Sequence, residues 1–337
     1  MEHEELRDAA ARMLSVNMGL KKGESVAFIS DVPKPQDWAT LPAVRLFEMS
    51  HRGVLARSFF EMMKADFPEN RIELICFPQL GQHGMEPNKE TAQKFLGYDV
   101  LIMMTTFSLS HTQAREKASQ QGARVASMPE VEAGMFAQGG PMAADYLAIS
   151  RETRKLADLL TAGNHVRVTT PFGTDLSFSI SGRVGGADTG LLHAEGEFGN
   201  LPGGEAYVAP VEGTAEGVLV VPAKWYPHLE EEMTVVFENG YVTSLLGGGQ
   251  VGDQFRELFA FGNDEFKHRR NCAELGIGTN PNARRPDNVL EAEKIKGTVH
   301  IGVGDSSHLG GVNASDFHDD FVLTQPTLYV DGNKMLR

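Results

Sequence analysis

The hydrophobic pattern of this chain changes character near residue 163, and that change restricts the fold more than any other feature. Before it, strand-like runs alternate with helical ones. "SVAFISD", "VLARSFF", "RIELICFP", "YDVLIMMTT" and "GARVASMP" read as strands. "PQDWATLPAVRLFEMSHRG", "NKETAQKFLG" and "HTQAREKASQQG" read as helices between them. Strands separated by helices imply βαβ units and a mostly parallel sheet covered on both faces. Residues 142–163 then read as a long amphipathic helix closed by Gly163. Beyond it strands follow strands, in "HVRVTTPFGTDLSFSISGR", "GVLVVPA", "MTVVFENGYVTSLLGG", "GTVHIGVG" and "FVLTQPTLYVDGNKM", with one helix near "VGDQFRELFAFG". "ENG" and "DGN" are hairpin-turn signals. The pattern predicts an α/β chain, α+β overall, with a mostly parallel domain over residues 1–163 and a mainly antiparallel, β-rich domain over 164–337.

Charge and cysteine usage exclude several roles. Lys and Arg total 31 against 45 Asp and Glu, a formal net charge of -14, so nucleic acid and anionic membrane surfaces are poor partners. The two cysteines, Cys76 and Cys272, offer neither a disulfide framework nor a Cys-based zinc site. The N-terminal "MEHEELRDAAARMLSVNMGL" has the acids of an amphipathic helix, with Leu6, Ala10, Met13 and Leu14 on one face, rather than the apolar core of a signal peptide or membrane span. A cytoplasmic protein acting on a small molecule or short peptide is expected. No G-x-G-x-x-G or P-loop motif follows the early strands, so nucleotide binding is not indicated.

Glycine numbers 36, and the excess lies after residue 180 in "SGRVGGADTG", "EGEFGNLPGGE", "LLGGGQVG" and "HLGGVN". There glycine permits tight turns or close backbone approach. Among these segments stand isolated ionisable residues: Glu205 in "GNLPGGEAYVAP", Glu274 in "CAELGIGTNP" and His300 in "GTVHIGVG". In "FHDDF", leading into a strand, His318 and Asp320 project to one side and Asp319 to the other. Burying an unpaired carboxylate costs several kcal/mol unless a cation or strong donors meet it. Each residue has a structural reading: a hydrogen-bonded core histidine for His300, a turn cap for Glu205, an ion pair with Arg269 or Arg270 for Glu274, a surface His–Asp contact for "FHDDF". Together, three carboxylates and two imidazoles exceed the needs of one catalytic metal and suit two divalent ions sharing a carboxylate bridge. Zn, Mn, Co and Fe all accept such donors.

"FGNLPGGEAYVAPVEGTAEG", "AELGIGTNP", "EKIKGTVHIGVGDSS" and "NASDFHDD" resemble, in that order, the catalytic half of the aminopeptidase T family of metallopeptidases over about residues 165–330. The resemblance implies an N-terminal α/β domain, a C-terminal metal-binding domain, a homodimer, and two divalent metals (Zn, Mn or Co) on Glu205, Glu274, His300, His318 and Asp320. An active-site tyrosine of those peptidases is replaced here by Ser307, and the chain is shorter than theirs. A second branch, the 2,5-dihydroxypyridine dioxygenases, keeps the H-x-D pair but has a histidine at the position of Glu274. Those enzymes use one Fe(II) in a two-His-one-carboxylate triad, which here would draw on His300, His318 and Asp320.

Retention of Glu274 with His300 sides with the two-metal hydrolases. The expectation is therefore an aminopeptidase-like metallohydrolase in which a bridging water attacks an amide, with Glu274 or Asp320 as the bridge. The alternatives are a mononuclear Fe(II) ring-cleaving dioxygenase and an inactive metal-stabilised binding protein. Asp305 is a candidate general base or support for a ligand, and Glu274 a second catalytic candidate. His111, after the strand in "YDVLIMMTT", either reaches a ligand site or caps the helix starting at Thr112. Arg284 and Arg285 either grip a substrate carboxylate or lie solvated in a loop.

Overall fold

The computed structural model describes residues 3–336. They divide into two compact units: Met1–Leu147 with Thr189–Gly203, and Ala148–Asp188 with Gly204–Arg337. The expected single boundary at Gly163 thus falls instead between Leu147 and Ala148, and the chain returns once to the first unit.

The first unit is built on a parallel sheet in the order Arg71–Pro78, Ser25–Val32, Val100–Met103, Arg124–Ser127, Phe198–Asn200. Val100–Met103 and Arg124–Ser127 are buried along their whole length, as a sheet covered on both faces requires. Ala27, Ile29, Phe95, Leu101 and Val125 belong to its core. "VLARSFF" is not a strand but the middle of the helix Ala43–Asp66. Leu55, Ala56, Phe59, Met62 and Met63 are buried there, a spacing that draws one helical stripe. The longer helical period overrides the strand-like composition of seven residues.

The second unit holds two antiparallel sheets. The larger runs Tyr241–Gly247, Met233–Glu238, Glu216–Val221, Asp175–Ser179, His165–Thr169, Thr327–Val330, Asn333–Leu336. Its hairpins turn through Asn239–Gly240 and Asp331–Gly332, all four at positive φ, as the two predicted turn signals demand. The smaller runs His318–Leu323, Val299–Gly304, Cys272–Gly278, Glu205–Val208, Gly186–Asp188. Val166, Leu219 and Val235 from the larger sheet share one core with Val208, Leu275, Ile301 and Phe321 from the smaller. Two sheets burying one face each against the other is the arrangement that alternating strands favour. Among the described residues no helix is long and apolar enough to cross a membrane.

Candidate metal centre

Because successive side chains of a strand face opposite ways, the core residues of the smaller sheet determine what its other face carries. Val299, Ile301 and Val303 enter the core, so His300 and Gly302 face away. Leu275 and Ile277 do the same for Glu274 and Gly276, Ala206 and Val208 for Glu205, and Phe321 and Leu323 for His318 and Asp320. A register shift between Cys272 and Glu274 lets both Cys272 and Leu275 reach the core although they lie three positions apart. All five candidate ligands therefore stand on one face of one sheet.

Glycines make room for them. Gly302 pairs with Glu274 on one side and Asp320 on the other, and Gly276 pairs with His300. A Cβ at Gly276 would lie 1.9 Å from His300 Nε2. One at Gly302 would lie 2.7 Å from Glu274 Cβ, 2.8 Å from Asp320 Oδ1 and 3.0 Å from His318 Cε1. These two glycines serve close approach rather than turning: the ionisable side chains lie over bare backbone.

Glu274 stands between two groups, one completed by Glu205 and His300, the other by His318 and Asp320. In each group, one donor atom per residue lies within 4.8 Å of the others. His300 Nε2 is 3.3 Å from Glu205 Oε2 and 3.6 Å from Glu274 Oε1. His318 Nε2 is 3.2 Å from Glu274 Oε2 and 3.3 Å from Asp320 Oδ2. His318 Nδ1 donates to the Asp305 carbonyl at 2.7 Å, which fixes the ring and leaves Nε2 as its ligand nitrogen.

The electrostatics ask for a cation. Among the described residues, Glu205 Oε2, His300 Nδ1 and Asp320 Oδ1 are buried without a hydrogen-bond partner. Burial works against a charged His300, yet the hydrogen bond to Glu274 and the charges of Glu205 and Asp320 raise its pKa to about 9. Burial likewise opposes a charged His318, but Asp320 and Glu274 hold its pKa well above the ordinary imidazole value. Protons thus occupy positions that a metal would take, and metal binding displaces them. Oxygen and imidazole donors converging in this way form a metal-binding cluster.

The other predicted residues divide. The Asp305 carboxylate accepts from His308 Nδ1 at 2.6 Å, Ser307 Oγ at 2.9 Å and the Ser315 amide at 3.0 Å, so the loop that presents its carbonyl to His318 is tied down. Arg269 donates to Asp316, and Arg270 to the Asn263 carbonyl, rather than to Glu274. Arg285 forms a two-pronged pair with Asp287 at 2.7 and 2.9 Å. Arg284 is exposed, and its amide donates to Glu291. His111 belongs to the first unit, and the helix Gln113–Gln120 is capped by the Thr112 side chain, not by His111. Asp319 turns away from the cluster and accepts from Tyr226 Oη at 2.8 Å; burial pushes its pKa up to about 6.

Sequence reasoning missed Lys294. It follows the short helix Val289–Ala292 and is fully buried. Its Nζ donates to Glu205 Oε1 at 2.6 Å and Glu293 Oε2 at 2.9 Å. The signal was the requirement that a buried Glu205 find a cation, with "EKIKG" supplying one just before the His300 strand. Also unread was a narrow pocket of about 10 Å³ beside Asp320, walled by Trp225, Tyr226, Pro227, Pro286, Ala292, Glu293 and Val322.

Comparison with known proteins bears on which chemistry this cluster serves. No curated protein sequence matches the chain. Among solved structures, 2,5-dihydroxypyridine dioxygenase from Pseudomonas putida superposes with a TM-score of 0.70 at 18% identity, covering 100% of this chain and 96% of that one. Wild-type AmpT from Thermus thermophilus superposes with a TM-score of 0.62 at 16% identity, covering 99% and 97%. Both share the fold, and identities this low speak to fold alone. The sequence profile of the NicX family, 2,5-dihydroxypyridine 5,6-dioxygenase, matches residues 5–337. That match overturns the expectation of an aminopeptidase-like metallohydrolase, and with it the hydrolase and metallopeptidase class; what the chain shares with AmpT is the fold. The chain belongs to the 2,5-dihydroxypyridine 5,6-dioxygenase family.

Proposed function

We propose that the chain is a ring-cleaving dioxygenase that holds one Fe(II) on Glu274, His318 and Asp320 and acts on a hydroxylated nitrogen heteroaromatic. The observation that carries this reading is the convergence of those three side chains, with His318 Nε2 left toward the carboxylates by the Nδ1 hydrogen bond to Asp305. Family membership supports the reaction class and the substrate class. Two carboxylates and one imidazole form an oxygen-rich variant of the facial triad, because Glu274 stands where the resemblance to the dioxygenases expects histidine. Fe(II), when bound, supplies the redox chemistry that lets O₂ attack a ring.

The protein's own part is placement. The Asp305 carbonyl holds the His318 ring, and the paired strands hold Asp320 and Glu274 on either side of Gly302. Trp225, Pro227, Pro286 and Val322 give apolar lining to a pocket that Asp320 and Glu293 also enter, a mixture suited to a polar aromatic ring. The Tyr226 hydrogen bond to Asp319 fixes one wall of that pocket.

The test is anaerobic loading with Fe(II), followed by oxygen uptake and ring absorbance with 2,5-dihydroxypyridine and other hydroxylated pyridines. Equimolar loss of O₂ and ring supports the reading. An iron-loaded protein that consumes no O₂ with any of them sinks it.

A further inference from the structure

The two groups that share Glu274 differ in burial and in one further respect: a lysine is built into the more buried of them. Lys294 is fully buried, and its ammonium donates to Glu205 at 2.6 Å and to Glu293 at 2.9 Å. A buried lysine persists only when paired. The acid it pairs with belongs to the Glu205, Glu274, His300 group, which by donor atoms and spacing is otherwise able to hold a metal ion. The Glu274, His318, Asp320 group has its donors within the same spacing, and its hydrogen bond from outside the cluster runs from His318 Nδ1 to a backbone carbonyl.

We propose that Lys294 takes the place of a second metal ion: its ammonium reserves the Glu205 half of the cluster and restricts the chain to one divalent cation. Charge agrees with this. The four carboxylates of Glu205, Glu274, Glu293 and Asp320 are met by one divalent ion and one ammonium to within a single charge. A second divalent ion beside Lys294 would leave an uncompensated positive excess in a buried site, which is costly. Geometry agrees as well, since Glu205 Oε1 already accepts from the ammonium at hydrogen-bond distance and only Oε2, facing His300, remains unpartnered. Lys294 is thus a specificity-determining residue for metal number. The inference rests on the single-ion reading above.

The experiment is equilibrium dialysis against Mn(II) or Zn(II), with ions per chain measured by plasma mass spectrometry and folding checked by circular dichroism. Wild type is expected to hold about one ion per chain, Lys294→Met about two, and Lys294→Met with Glu205→Gln about one again, as ligand count dictates. A folded Lys294→Met variant that holds only one ion overturns the role of Lys294 while leaving the metal site intact. No ion in wild type overturns the metal reading itself. If Lys294→Met does not fold, the wild type decides: a second ion taken up at excess metal overturns the proposal, and saturation at one supports it.

Discussion

The two faces of the smaller sheet in the second unit are made by the same strands, residue by alternate residue, yet they obey different rules. The inner face carries Val299, Ile301, Val303, Leu275, Ile277 and Phe321, side chains that fill space and tolerate exchange of one aliphatic shape for another. The outer face carries glycines alternating with Glu274, His300, His318 and Asp320, where a single added carbon meets a donor atom at 3 Å or less. The inner face is specified by volume and the outer by position. A substitution of equal size should therefore cost stability on one face and chemistry on the other.

The sharpest way to break that contrast is to remove a ligand. Asp320→Ala should lose metal affinity by more than about 100-fold, since residues that merely orient ligands are worth roughly 10–100-fold. Undiminished metal content in that variant would count against the assignment. Gly302→Ala comes next. Its Cβ would press on Glu274, Asp320 and His318 together, and the expected loss of affinity is roughly 10–100-fold with the fold retained by circular dichroism. Gly302→Ala with normal metal affinity would show that the outer face is no stricter than the inner.

On the outer face, acid should compete with the metal. His318 carries a pKa well above 6.5 in the metal-free protein, so near neutral pH a proton must leave before Nε2 can bind a metal. Affinity should then rise with pH by roughly tenfold per unit for each proton released. A calorimetric series from acid to mildly alkaline pH reads this slope, and a flat profile contradicts it. On the inner face, Ile301→Val should cost about 0.5–1.5 kcal/mol in denaturant unfolding with metal content unchanged. The smallest effect is expected away from both faces: Arg285→Ala breaks an exposed pair with Asp287 and should stay within about 0.5 kcal/mol.

Sequence legibility followed the same division. Strand alternation placed the antiparallel sheets and their hairpins, because a buried face imposes period two on a strand and the pairs Asn239-Gly240 and Asp331-Gly332 mark the turns. It also drew attention to Glu205, Glu274 and His300, isolated in apolar strand-like segments, and to His318 and Asp320, which alternation puts on one side. The helix Ala43–Asp66 was half misread because a β-branched and aromatic composition over "VLARSFF" is local while helical periodicity is not. Lys294 was missed for a related reason. Its partner Glu205 lies 89 residues away, and nothing local distinguishes a buried lysine from a solvated one. The reaction class was misjudged because retention of Glu274 beside His300 was read as the mark of a two-metal hydrolase, whereas the family match over residues 5–337 is to the dioxygenases.

The strand Phe198–Asn200 closes the edge of the first unit's parallel sheet, although it is encoded after Ala148–Asp188, which belongs to the second. Synthesis runs from the N-terminus, so Arg124–Ser127 leaves the ribosome long before its edge partner exists. The strand waits with a buried-type sequence and one open side while the start of the other unit is made. A gene cut after Leu147 would encode a sheet whose edge never arrives, and the protein it yields should aggregate through that strand.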